Sequence, residues 1–93
     1  MEIKALVTGS SGFIGSSLSR ELLKLGFDVL GIDVNNDYYS RDLKEIRANE
    51  LLSFSNFKFV ELDLSNYPET NRIISDFQPH FVFHLAAQAG VRI

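Results

Sequence analysis

Residues 8–15 read Thr8-Gly9-Ser10-Ser11-Gly12-Phe13-Ile14-Gly15, and three of the chain's six glycines fall in this one stretch. Each glycine weakens a helix start by about 0.5–1 kcal/mol relative to alanine. A helix nevertheless begins here. Upstream, residues 3–8 form a short apolar run ended by glycine, which reads as a buried strand. Downstream, Phe13 opens an apolar series in which Ile14, Leu18, Leu22 and Leu25 recur at helical steps, and Gly26 supplies a C-terminal stop. Strand, glycine turn and amphipathic helix together form the setting in which such glycines admit a ligand close to the backbone.

The same alternation continues along the chain. Residues 27–34 form a second apolar run, followed by the turn residues Asn35, Asn36 and Asp37. A helix is expected over residues 40–52, with Leu43, Ile46 and Leu51 facing inward. Residues 57–62 read as a third strand, which Lys58 and Glu61 assign to a sheet edge. Asn66, Pro68 and Glu69 carry the signature of a helix N-terminus, and Ile73, Ile74 and Phe77 supply that helix's apolar side before Gln78 and Pro79 end it. Residues 81–87 form a fourth strand, nearly all apolar, as expected of one covered on both faces. The order βαβαβαβ predicts a doubly wound α/β fold of four parallel strands, with right-handed crossovers and helices on both faces.

In that fold the first βα turn is a ligand site. Gly9 is expected to make the tight turn, Gly12 to admit a pyrophosphate, and Gly15 to let the helix pack closely on the sheet. The first-turn amides, those of Phe13 and Ile14 among them, face the phosphates with about half a positive charge. The spacing is G-x-x-G-x-x-G, one residue longer in the turn than the commoner G-x-G-x-x-G. Asp33 ends the second strand, where a carboxylate accepts both ribose hydroxyls of a dinucleotide and opposes a 2′-phosphate. With no arginine between Asp33 and Arg41, the expected cofactor is NAD rather than NADP. Asp63 and Leu64 end the third strand, where they either contact adenine or, for Asp63, cap the next turn. Ala86 and Ala87 end the fourth, small enough for the ribose-phosphate region to lie over them or simply to pack.

Composition bounds the rest. Ninety-three residues make one small domain, and a 45% hydrophobic content suits a folded one. There is no cysteine, so no disulfide or thiolate metal site forms, which fits a cytoplasmic protein. No apolar stretch approaches the roughly 20 residues of a membrane span, and no secretory leader pattern opens the chain. The net charge of −3, with basic residues dispersed, gives no stripe for nucleic acid.

Taken together, residues 8–15, Gly31-Ile32-Asp33, Leu62-Asp63-Leu64 and His84-Leu85-Ala86-Ala87-Gln88-Ala89-Gly90-Val91-Arg92 resemble the extended short-chain dehydrogenase/reductase family, and the resemblance runs over essentially the whole chain. Asn36-Asp37-Tyr38-Tyr39 together with Ala86 to Arg92 are similar to its UDP-glucuronate 4-epimerase subgroup. The resemblance implies the N-terminal part, residues 1–93, of a Rossmann-type NAD-binding domain, with the substrate domain absent. It implies epimerisation at C4 of a UDP-sugar acid: bound NAD takes a hydride, a 4-keto sugar turns over, and the hydride returns to the other face. In the family a Tyr-x-x-x-Lys pair handles the proton. Here Tyr38, Tyr39 and Tyr67 are followed four residues on by Asp42, Leu43 and Asn71, so the chain holds no such pair and is expected not to epimerise alone. A dehydratase or decarboxylase of the same family, and a non-catalytic NAD-holding module, are the alternatives.

Four further features lie outside these motifs. Tyr38 and Tyr39 either close over a substrate or pack their loop. Arg92 either meets a sugar-nucleotide phosphate or carboxylate, or is solvated. His84 reads as a buried, satisfied histidine rather than a metal ligand, and His80 as an exposed strand start. The outer edge of the fourth strand is open, which invites pairing with a second copy.

Overall fold

The computed structural model describes residues 3–33 and 41–85, with side chains throughout except at 41–45. β1 (Lys4–Thr8), α1 (Phe13–Lys24), β2 (Asp28–Asp33), α2 (Arg41–Leu52), β3 (Phe57–Glu61), α3 (Tyr67–Phe77) and β4 (Phe81–His84) follow one another as the periodicity predicts. The four strands are parallel in the order β3-β2-β1-β4. Strand order therefore reverses beside β1, which pairs with β2 on one side and β4 on the other. In register Leu6 lies opposite Leu30 and Val82, and Thr8 opposite Ile32 and His84.

Alternation along the strands sends side chains to two covered faces. Ala5, Val7, Val29 and Phe57 form one core with Leu22 and Leu23 of α1 and Leu51 of α2. Leu6, Leu30 and Ile32 form the other, beneath Ile73, Ile74 and Phe77 of α3. β1 and β2 are buried on both sides, and for this reason their sequences read as continuous apolar runs. Gly31 sits in β2 where a side chain has no room: a Cβ there would lie 2.8 Å from the Phe57 ring and as close to Ser10 Cβ.

The helix ends follow backbone chemistry. α1 closes on Gly26 at φ +93°, with Gly26 N–H donating to Leu23 O and Phe27 N–H to Leu22 O, both at 3.0 Å. That pair of bonds is a Schellman motif, and Phe27 packs on the first core behind it. Asn56 adds a side-chain donor to Phe27 O at 2.7 Å. Asn66 caps α3, accepting from Glu69 N–H at 3.4 Å. Glu69 does not reach back to complete the box. Its carboxylate turns to Arg72 through two 2.9 Å bonds, which hold its pKa below the usual glutamate value.

Three inward assignments are corrected. Phe13, Ile14 and Leu25 stand out from α1, with Phe13 73% and Ile14 66% exposed, while Gly15, Ser16, Ser19, Leu22 and Leu23 face in. The first half of α1 lies too close to the chain below it for large side chains. Ile46 is 55% exposed; Leu51 is the buried anchor of α2, and the side chain of Leu43 lies outside the described residues. Among the described residues β4 is not covered on both faces: Phe81 and Val82 are at least half exposed, and of β4 only Phe83 joins the core on the α1 side.

Candidate functional site

The carboxyl ends of β1, β2 and β4 meet at the point of strand reversal, and the glycine turn lies across them. Gly9 takes φ +74°, open to glycine at little cost, and its N–H donates to Ile32 O at 2.7 Å. That bond anchors the turn to the end of β2. Gly12 then returns an N–H to Gly9 O at 3.1 Å and becomes the N-cap of α1 with extended angles. Gly15 is the tightest of the three. A Cβ there would overlap the Gly9 carbonyl oxygen and sit 2.8 Å from its carbon and 3.1 Å from Ser10 Cα. The contact that requires glycine is thus with the turn itself, not the sheet as expected from sequence.

This packing opens the helix start to solvent. The first helical bond is Ser16 N–H to Gly12 O, at 2.9 Å, so the amides of Phe13, Ile14 and Gly15 have no acceptor within the helix. No side chain caps α1 and no acid stands in its first turn. The exposed Phe13 and Ile14 flank this positive end.

Asp33 stands at the end of β2, only 8% exposed, and its Oδ2 accepts the N–H of Ser11 at 2.9 Å. The carboxylate is therefore part of the turn's own architecture as well as a group at its rim. Arg47, which the sequence reading passed over, approaches Ser11 from α2. Its Nη1 donates to Ser11 O at 3.4 Å, and its guanidinium lies 5.9 Å from the centre of the Phe13 ring. Thirty-six positions separate Arg47 from Ser11, and no local pattern links them.

On the β4 side, Thr8 Oγ1 accepts Leu85 N–H at 2.9 Å and lies 2.7 Å from His84 Nδ1. His84 is satisfied as expected, but it is exposed, because nothing among the described residues covers that face of β4. His80 is exposed at the strand start, its Nδ1 accepting Lys4 N–H at 3.0 Å.

Asp63 is exposed beyond β3. Its Oδ1 accepts both the N–H and the hydroxyl of Ser65 at 2.9 Å, and these bonds, the backbone one foremost, hold its carboxyl below the usual aspartate range. Capping the turn is thus a role it fills. Leu64 packs beside the α3 core. Asn36, Asp37, Tyr38, Tyr39, Ala86, Ala87 and Arg92 lie outside the described residues.

A concavity of about 530 Å³ opens elsewhere, at the amino ends of the strands, lined by Lys4, Asp28, Lys58 and Asp76 among others. Its charges are mixed and it is at the opposite end of the sheet from the glycine turn. Among the described residues no helix is long and apolar enough to cross a membrane.

Residues 6–93 match the family model described as GDP-mannose 4,6-dehydratase. The chain is 48% identical over 90 residues to Protein CapI of Staphylococcus aureus and 47% identical over 87 residues to a UDP-glucuronate 4-epimerase of Thermodesulfobacterium geofontis, covering 97% and 94% of this chain. It spans 27% of the length of each. Among solved structures, the UDP-glucuronic acid 4-epimerase of Bacillus cereus in complex with UDP-glucuronic acid and NAD superposes with a TM-score of 0.82 at 38% identity, over 97% of this chain and 28% of that one.

Proposed function

The chain belongs to the family of NAD-dependent epimerases and dehydratases that this model describes, and on that premise we propose that it is the cofactor-holding part of a UDP-glucuronate 4-epimerase. The observation that carries the cofactor half is the turn itself. An uncapped helix start, free of acid, is held open by the Gly9–Gly15 contact and stands beside a buried carboxylate at the end of β2. These residues fit a dinucleotide. The relatives' names and the B. cereus complex support the sugar half.

In this reading residues 1–93 are the N-terminal part of an NAD-binding domain. NAD, when bound, supplies the hydride acceptor and donor at C4 of the sugar. Gly9 and Gly15 shape the turn, and Gly12 leaves the pyrophosphate an approach to the amides of Phe13, Ile14 and Gly15. Asp33 orients the adenosine ribose through its hydroxyls. Asp63 and Leu64 bound the adenine. Ala86 and Ala87 flank the ribose-phosphate region, and Arg92 meets the UDP-sugar; these three are proposed from sequence and likeness alone.

Calorimetric titration tests the cofactor half: saturable NAD binding is expected, and no binding at millimolar NAD overturns it. Incubation with NAD and UDP-glucuronate is expected to give no UDP-galacturonate above a protein-free control, since the chain holds no Tyr-x-x-x-Lys pair. Turnover would show that the acid/base work is done within these residues.

Among the described residues no strand pairs with the outer edge of β4, and this supports one partner proposal, a second copy of this chain. Phe81 and Val82 stand half open beside it, and an unpaired apolar edge templates strand addition. Sedimentation equilibrium is expected to show a dimer at micromolar concentration. A monomer throughout that range would remove the proposal.

A further inference from the structure

The cofactor reading leaves Arg47 without a task, and its contacts supply one. The amides of Phe13, Ile14 and Gly15 have no acceptor within the helix, and no side chain caps α1. A capping side chain would fasten this turn, but it would occupy donors that a diphosphate needs, and an acidic one would repel that ligand. The turn is gripped instead through Ser11, just before the N-cap residue Gly12. Its N–H donates to Asp33 Oδ2 at 2.9 Å, and its carbonyl accepts from Arg47 Nη1 at 3.4 Å. The same guanidinium lies 5.9 Å from the centre of the Phe13 ring, just after Gly12. Arg47 therefore touches both residues that flank Gly12. It uses a carbonyl and a ring face, and leaves the first-turn amides alone.

The rest of α2 fixes where Arg47 stands. Leu51 follows it by one helical turn and is buried in the core with Leu22 and Leu23 of α1. Glu50 pairs with Arg20 of α1 at 3.2 Å. With its backbone so anchored, the half-buried Arg47 side chain gives up less freedom in reaching the turn than a loose surface arginine would. Resting on the cofactor reading above, we propose that Arg47 is a positioning residue of the dinucleotide site. It holds Ser11 and Phe13 in a fixed relation across Gly12, so the open amides are arranged for a diphosphate before one arrives. Preforming the turn in this way spares the ligand the ordering cost at binding. The cofactor remains NAD, and Arg47 acts on it through the turn.

The test is calorimetric titration with NAD of the intact 93-residue chain, Arg47→Met and Arg47→Lys, each melted alongside. Methionine keeps the unbranched stem and removes the charged donor. Arg47→Met is expected to melt close to the parent and to bind NAD about three- to ten-fold more weakly, the span of one cation–π contact and one long charged hydrogen bond. Arg47→Lys is expected to recover part of that loss, since a cation and a donor remain while the planar fork is gone. Unchanged NAD affinity in Arg47→Met overturns the proposal. So does a lysine variant no better than the methionine one, because the stem and not the charge would then matter. An Arg47→Met chain that is unfolded at the titration temperature overturns it as well, since Arg47 would then support the fold and not the turn. If NAD fails to bind the unaltered chain while that chain melts cooperatively, the cofactor reading falls first and this inference with it.

Discussion

Gly15→Ala will destabilise the chain by about 3 kcal/mol and remove NAD binding, because overpacking against immovable neighbours sits at the upper end of its usual range. The added methyl would overlap the Gly9 carbonyl and press on Ser10 Cα, which are backbone atoms that cannot swing aside. Gly9 cannot retreat, since its N–H is bound to Ile32 O at the end of β2. α1 would have to lift away, exposing Leu22 and Leu23 and carrying the first-turn amides off the site. For a domain of this size the loss corresponds to a fall in Tm of roughly 12–24 °C. Gly12→Ala is the control. Gly12 has ordinary extended angles and its Cβ would lie 3.3 Å from Gly9 O, a tight contact that asks only a few tenths of an ångström, so its melt should fall much less than that of Gly15→Ala. If Gly15→Ala melts within a few degrees of the parent, the close contact does not hold the turn.

Asp33→Ala will weaken NAD about 10- to 100-fold, the span that one or two hydrogen bonds to a charged group contribute. Two losses combine. The ribose loses its acceptor, and the buried N–H of Ser11 loses the oxygen that fixes it at 2.9 Å. Asp33→Asn separates them, since an amide oxygen still accepts from Ser11 while the negative charge is gone. An intermediate affinity is expected. Wild-type affinity in Asp33→Ala, measured by the same calorimetry, would take Asp33 out of the site.

Strand positions were legible because each central strand carries its own signal: a continuous apolar run needs cover on both faces, and β1 and β2 have it. The glycine turn was legible because three small residues at a helix start have few other uses. The inward face of α1 was not. Periodicity counts apolar side chains, and it selected Phe13 and Ile14, but where backbone packs on backbone the inward positions go to Gly15, Ser16 and Ser19. Exposed apolar residues at that helix start therefore marked the rim of the site, not the core. Arg47 was illegible for a different reason: its importance lies in the crossing of α2 over the turn, and charge has no periodicity that reports such a crossing. His84 was read as satisfied and is, through Thr8, but its burial depended on cover that the described residues do not give β4.

The position of β1 in the sheet bears on how the chain acquires its shape during synthesis. β1 leaves the ribosome before the other three strands yet lies inside the sheet. One of its edges finds β2 early, as Lys4 meets Asp28, but the other waits for β4, whose Phe81 pairs with Ala5. The bond that closes this seam, between Thr8 and His84, joins residues 76 positions apart. Contacts so distant in sequence form slowly, because a long loop must close before any of them is rewarded. Until β4 emerges, the nascent chain therefore presents an apolar strand with one open side. That interval is when a neighbouring unfinished copy can take the place reserved for β4.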